Sequence, residues 1–208
     1  MKPEKAARKR RLPWRRILLL LAVLLLAVAA YFIESRGGWS DLYRASGISL
    51  DAPDADLLAQ TSTTVTVLDV GQGDGMYLHT KEGTNFFFDG GSTDVSKVGT
   101  YRMLPFLKAK GVKKIDYWIV SHTDADHISG LKEILQAEYE IDHIVFSKYV
   151  LNDEAYQELL ALAQTYGTEI LKMDCGDTLT DGEAGLRCIF PDKTYKSDDK
   201  NALSLVLR

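Results

Sequence analysis

The chain has 208 residues, 46% of them hydrophobic and 26% charged, with a formal net charge of −4, which fits one folded domain plus a tail and excludes a disordered or fibrous chain. That charge is unevenly divided: residues 1–16 hold eight Lys/Arg against Glu4 alone, leaving 17 basic and 28 acidic side chains downstream, a balance of −11. So acidic a body argues against a broad, sequence-independent grip on nucleic acid through lysine and arginine, although a metal centre can neutralise an anionic substrate locally.

In chain order, the basic tail 1–16 leads into "ILLLLAVLLLAVAAYFI", residues 17–33, which carries no charge. As a helix it would be about 25 Å long, close to the hydrocarbon thickness of a bilayer. It reads as a single membrane span or signal anchor. Ala27, Val28 and Ala29 also fit a processing site, so a cleaved signal peptide is the other reading. Basic residues before the span and Glu34, Asp41, Asp51, Asp54 and Asp56 after it put the N-terminus in the cytoplasm and the body outside. Residues 34–62, including "DAPDADLLAQTS", form an extracellular spacer with little periodicity.

A domain is expected over 63–208. "TTVTVLDVG", "GMYLHT" and "TNFFFDGG" read as three strands of a meander. "TYRMLPFLKAKG" is a short helix stopped by Gly111, and "KIDYWIVS" is a buried strand. That strand delivers the chain to "SHTDADHISG", after which "ISGLKEILQ" begins a helix. "IDHIVFS" is a strand, and "NDEAYQELLALAQTYG" a helix capped by Asn152 or Asp153 and stopped by Gly167. "TEILKM", "LRCIFP" and "ALSLVLR" complete the strands. Cys175 and Cys188 lack a metal-ligand or redox spacing, and a disulfide between them is possible outside the cell.

His122, Asp124, Asp126 and His127 occupy six positions on a short backbone between strand and helix. A helix cap and a turn would account for one aspartate, not for four ligand-type residues. Imidazole and carboxylate suit Zn, Mn and Fe, and two such pairs can serve two ions sharing one hydroxide nucleophile. Asp69, Gln72 and Asp74 lie in a glycine-rich loop that lets backbone approach a ligand closely; Gln72 and Asp74 are substrate or metal-supporting candidates, and Asp69 a structural one. His79 and His143 read as surface or core residues. Asp192 and Asn201 flank the later strands and could approach the site.

"HTDADH" resembles the HxHxDH metal motif of the metallo-β-lactamase superfamily, in the variant with Asp at the second ligand place found in the hydrolase domain of ComEC-type DNA-uptake (competence) proteins. "LDVGQGDG", "FFFDGG" and "NALSLVL" resemble that domain in order and spacing, so the likeness runs from Thr63 to Arg208. It implies an α/β fold, the αββα sandwich, and two divalent ions, Zn or Mn. His122 and Asp124 would be first-site ligands and Asp126 and His127 second-site ligands, the last two also the catalytic pair. Asp89 would orient ligands from behind. The implied activity is that of a phosphodiesterase or nuclease using metal-bound hydroxide, with nucleic acid the leading substrate and the membrane a partner through the anchor. Two features depart from the pattern: no histidine follows His143, and the bridging aspartate of a later "GD" segment is not reached before Arg208. The domain is therefore expected to be partial, and a non-catalytic surface module or a hydrolase of esters, amides or lactams stays open beside the nuclease reading.

Overall fold

In the computed structural model, residues 14–35, 62–181 and 184–208 are described; most of the expected basic tail and spacer lies outside them. The first element, α1, spans Trp14–Ser35. It contains the uncharged run and has a mean hydropathy of 2.7 over Trp14–Ile33, so by length and composition it is compatible with crossing a membrane.

Six strands form the main sheet in sequential order: β1 (Thr64–Val67), β2 (Gly75–His79), β3 (Asn85–Asp89), β4 (Lys114–Ile119), β5 (Glu140–Ser147) and β6 (Glu169–Met173). The first three pair antiparallel, as a meander must, and the rest pair parallel. Parallel pairing requires crossovers. These are supplied by α2 (Leu104–Ala109), entered through a wide helical turn at Gly99–Met103, by α3 (Ala125–Gln136) and by α4 (Glu154–Tyr166).

Alternation along the strands gives the sheet two apolar faces. One, with Phe87, Trp118, Ile144 and Phe146, packs with Leu131, Ile134 and Leu135 of α3 and Leu159 of α4. Phe87 stacks on Trp118 at 4.2 Å between ring centroids. Each large side chain fully buried here contributes about 1.5–3 kcal/mol. The other face, with Phe86, Ile119, Val145 and Met173, meets Cys188 of a second, antiparallel sheet of β7 (Thr178–Asp181), β8 (Ala184–Phe190) and β9 (Val206–Leu207), together with Leu205 just before β9. The described layers are thus helices, sheet and sheet. Towards β1 the inner face is open, with Val65 59% and Val67 74% exposed.

Two elements differ from the sequence reading. Helix α3 starts at Ala125, so Asp126 and His127 lie in its first turn rather than in a preceding loop. Asp124 stands at its N-cap position with extended backbone, yet its side chain makes no capping bond. "ALSLVLR" is only partly strand: Asn201–Leu203 is a helical turn, and β9 keeps two residues. The cause is a long-range bond, because the Leu205 N–H donates to the Ser121 carbonyl at 2.9 Å and holds this segment against the start of the motif. Helix α4 is capped as expected, by the Asp153 carboxylate accepting from the Tyr156 N–H at 2.8 Å and by left-handed Gly167. Both cysteines are free thiols, Cys175 exposed and Cys188 buried.

Candidate metal centre

Three loop segments meet at the C-terminal ends of β3 and β4, which run parallel and carry Asp89 and the Ser121–His127 motif side by side. The glycine loop after β1 closes over them. A Cβ at Gly91 would lie 2.4–2.5 Å from backbone atoms of Ala125, Asp126 and His127, and one at Gly73 would lie 2.2 Å from the Gly91 carbonyl oxygen. Only glycine permits that stacking of three backbones. It is locked by the Asp74 N–H donating to the Asp126 carbonyl (3.2 Å) and the Gly91 N–H to the Asp74 carbonyl (3.1 Å).

Asp89 is the anchor. Its backbone is left-handed (φ 54°), its carbonyl accepts the Trp118 indole N–H at 2.6 Å, and one carboxylate oxygen accepts the Ser121 N–H at 2.7 Å. The other oxygen lies 3.0 Å from His127 Nδ1. A carboxylate only accepts, so Nδ1 is the protonated nitrogen. Nε2 is left to face Asp126 Oδ2 at 3.9 Å. His122 is held differently: its Nδ1 meets the hydroxyls of Ser121 at 3.0 Å and Ser204 at 3.3 Å. Its Nε2 is buried without a hydrogen-bond partner and faces Asp124 Oδ2 at 3.5 Å. The two imidazoles are neighbours, with centroids 3.9 Å apart.

An imidazole nitrogen aimed at a carboxylate oxygen, buried and unbonded, is a pairing that a cation between them completes. With imidazole and carboxylate as donors, the residues gathered here fit a divalent ion. A separate trio, Asp74, Asp89 and His127, has ligand atoms within 4.8 Å of one another. It uses the Nδ1 side of His127, where Asp74 lies 3.7 Å away, and an ion there would have to displace the Asp89 hydrogen bond.

The protonation states follow from the same contacts. Burial and the neighbouring His127 lower the His122 pKa, overcoming Asp124, Asp89 and Asp126, so this ring is disposed to be neutral and ready to ligate. For His127, burial is outweighed by the Asp89 hydrogen bond and the charges of Asp89, Asp126 and Asp74, which raise its pKa. For Asp124, burial is outweighed by the Lys200 ammonium and the Asn201 amide, which hold the carboxyl below its usual range.

Of the residues singled out in the sequence, His122, Asp124, Asp126, His127, Asp89 and Asp74 come together. Gln72 is exposed, and its backbone N–H is bound by Asp94 at 2.8 Å. Asn201 reaches the site, donating to Asp124 Oδ2 at 3.0 Å. Asp192 instead closes its own turn on Thr194 and Tyr195. His79 bonds Asn85, and His143 lies against the Asp116 carbonyl and Glu169, all away from the site. Ser121, Ser204 and Lys200 are contributors that sequence reasoning passed over, and Asp153, expected only as a helix cap, also holds Lys200. Ser121 heads the motif and could have been found there; Lys200 carries no local signal.

Against known proteins, residues 58–145 match the family model described as Metallo-beta-lactamase superfamily. The chain is 30% identical over 156 residues to ComE operon protein 3 of Bacillus subtilis (strain 168), covering 69% of this chain and 20% of that protein. It is 30% identical over 118 residues to Competence protein ComA of Neisseria gonorrhoeae, covering 55% and 16%. The chain thus spans about a fifth or less of the length of these curated relatives. Among solved structures, the metallo-beta-lactamase fold protein YhfI from Bacillus subtilis aligns with a TM-score of 0.44 and 18% identity, over 61% of this chain and 52% of that one.

Replacing Asp89 tests the anchor. Asp89→Ala leaves the Ser121 N–H without its acceptor and should cost about 1–3 kcal/mol in urea unfolding, whereas Asp89→Asn, which tolerates positive φ and keeps an acceptor, should cost less. In metal-free protein, His127 binds more protons native than unfolded just above pH 6.5, the ordinary histidine value. Its share of the stability is present below that pH and is lost as pH rises through the elevated native value. Asp89→Ala should flatten this fall; the same slope in both proteins would refute the coupling.

Proposed function

We propose that the chain, whose residues 58–145 match the metallo-β-lactamase superfamily model and which is similar to competence proteins, is a metal-dependent phosphodiesterase that cuts nucleic acid. The observation that carries this reading is the buried, unbonded His122 Nε2 facing Asp124, beside a second His–Asp pair. His122 and Asp124 would hold one divalent ion, and His127 and Asp126 the other.

Two such ions, when bound, would supply Lewis-acid stabilisation of a phosphoryl group and a nucleophile available near neutral pH. The chain's own residues set the geometry. Ser121 and Ser204 fix the His122 ring through Nδ1, and Asp89 fixes His127 through its Nδ1, so both Nε2 atoms are oriented before any ion arrives. The first turn of α3 holds Asp126 and His127 on a stiff backbone. Carboxylates among the ligands suit Mn as well as Zn. The acidic body makes a non-specific phosphate grip a poor source of affinity, which leaves substrate binding to the ions.

The resemblance to DNA-uptake proteins favours DNA as the substrate, and the motif's Asp124 and flanking segments favour a phosphodiester over a lactam. The apolar helix Trp14–Ile33, with a basic segment before it and an acidic body after it, supports a single-pass anchor with the domain outside the cytoplasm.

Purified protein loaded with Mn should cleave single-stranded or duplex DNA. His122→Ala and His127→Ala should each lower cleavage by at least 100-fold and lower bound metal measured by elemental analysis, by analogy with the size of metal-centred catalytic terms. Metal content equal to wild type in both variants would remove the metal assignment; full metal with no cleavage of any phosphodiester would remove the substrate class.

Protease added to intact cells should degrade an epitope fused at the C-terminus and spare one at the N-terminus. The reverse pattern overturns the orientation.

A further inference from the structure

Lys200 has no part in the two-ion reading, yet its ammonium lies inside the site. It is 2.8 Å from Asp153 Oδ2 and 3.1 Å from Asp124 Oδ1. Asp153 is itself immobilised, capping α4 through the Tyr156 N–H at 2.8 Å and accepting the Thr123 hydroxyl at 3.2 Å. The lysine is therefore fastened to the start of a packed helix, and it contacts the Asp124 oxygen that is not paired with His122. Asp124 is bound at both oxygens, because Oδ2 also accepts from the Asn201 amide at 3.0 Å. This explains why an aspartate at an N-cap position does not cap: its carboxylate is turned to Lys200, Asn201 and His122.

The two candidate sites consequently differ in charge. Around His127 stand the carboxylates of Asp74, Asp89 and Asp126, and among the described residues no Lys or Arg pairs with them. Around His122 stands Asp124, whose charge is already shared with an ammonium that Asp153 only partly offsets. An ion held by His122 and Asp124 would lie within a few ångströms of this ammonium, whose repulsion offsets part of the attraction of the single shared carboxylate.

We propose that Lys200 is a resident cation that weakens the His122–Asp124 site, so that the two sites fill in order, Asp126–His127 first. Lys200 is a positioning residue in this scheme: it acts through Asp124, engaging Oδ1 while Oδ2, which also accepts from Asn201, faces His122. The inference rests on the two-ion reading above.

The test is titration of the full chain in detergent with Mn, by calorimetry, with free Mn counted by electron paramagnetic resonance. Wild type should show two steps, the tighter lost in His127→Ala and the weaker lost in His122→Ala. In Lys200→Met and Lys200→Gln the weaker step should tighten roughly ten-fold or more, as removal of a unit charge close to a divalent ion requires, while Lys200→Arg should stay near wild type. Two variants guard against a folding defect in one, and a thermal melt reports it. Equal affinities at both sites in wild type, or a weaker step that is unchanged or loosened in the neutral variants, would overturn the role of Lys200. Wild type that takes up no Mn at all removes the two-ion reading itself, a different outcome from failure at Lys200 alone.

Discussion

The site depends on one bifurcated acceptor, the Asp89 carboxylate. One oxygen takes the backbone N–H of Ser121, and so pins the point where β4 ends and the motif begins. The other lies against His127 Nδ1, and so sets the tautomer and the direction of that ring. A single buried carboxylate thereby ties a backbone break to a side-chain orientation, and its left-handed backbone is maintained by the Trp118 indole bonded to its carbonyl. Trp118 is in turn held by the Phe87 stack inside the main core. The energy of apolar burial in the sheet–helix layer is converted by these contacts into the fixed positions of two imidazoles, each with Nδ1 engaged and Nε2 directed at a carboxylate.

Electrostatics then divides the site. Carboxylates crowd His127 and raise its proton affinity, while burial and the adjacent ring lower that of His122. Lys200 and Asn201 draw Asp124 away from capping α3 and towards the β8–β9 connection. The Leu205 bond to the Ser121 carbonyl brings that connection in. The second sheet is therefore part of the site's construction: without its last strand neither Ser204 nor Lys200 would face the motif.

Much of this is legible in the sequence where the determinants are local. The apolar runs in "NFFFD" and "YWIV", the Asp153 cap and the Gly167 stop are short-range signals, and the structure follows them. The six-position motif is legible for the same reason: its ligands are close together in the chain. Helix α3 was harder to bound because Asp126 and His127 are weak helix formers, and the packing of Gly91 and Gly73 on their backbone decides the matter instead. The shortening of β9 and the arrival of Lys200 at Asp124 depend on contacts 76 or more residues apart, which no local pattern encodes. Asp89 stands between these cases: the resemblance points to it, but its double acceptor role appears only when β3 and β4 lie parallel.

The most direct measurement is a crystal structure of the Mn-loaded protein with anomalous scattering recorded at the Mn absorption edge. The account predicts peaks on the Nε2 sides of both imidazoles, one between His122 and Asp124 and one between His127 and Asp126, with the Asp89 to His127 Nδ1 contact intact. A peak among Asp74, Asp89 and His127 Nδ1, with that contact broken, would contradict it.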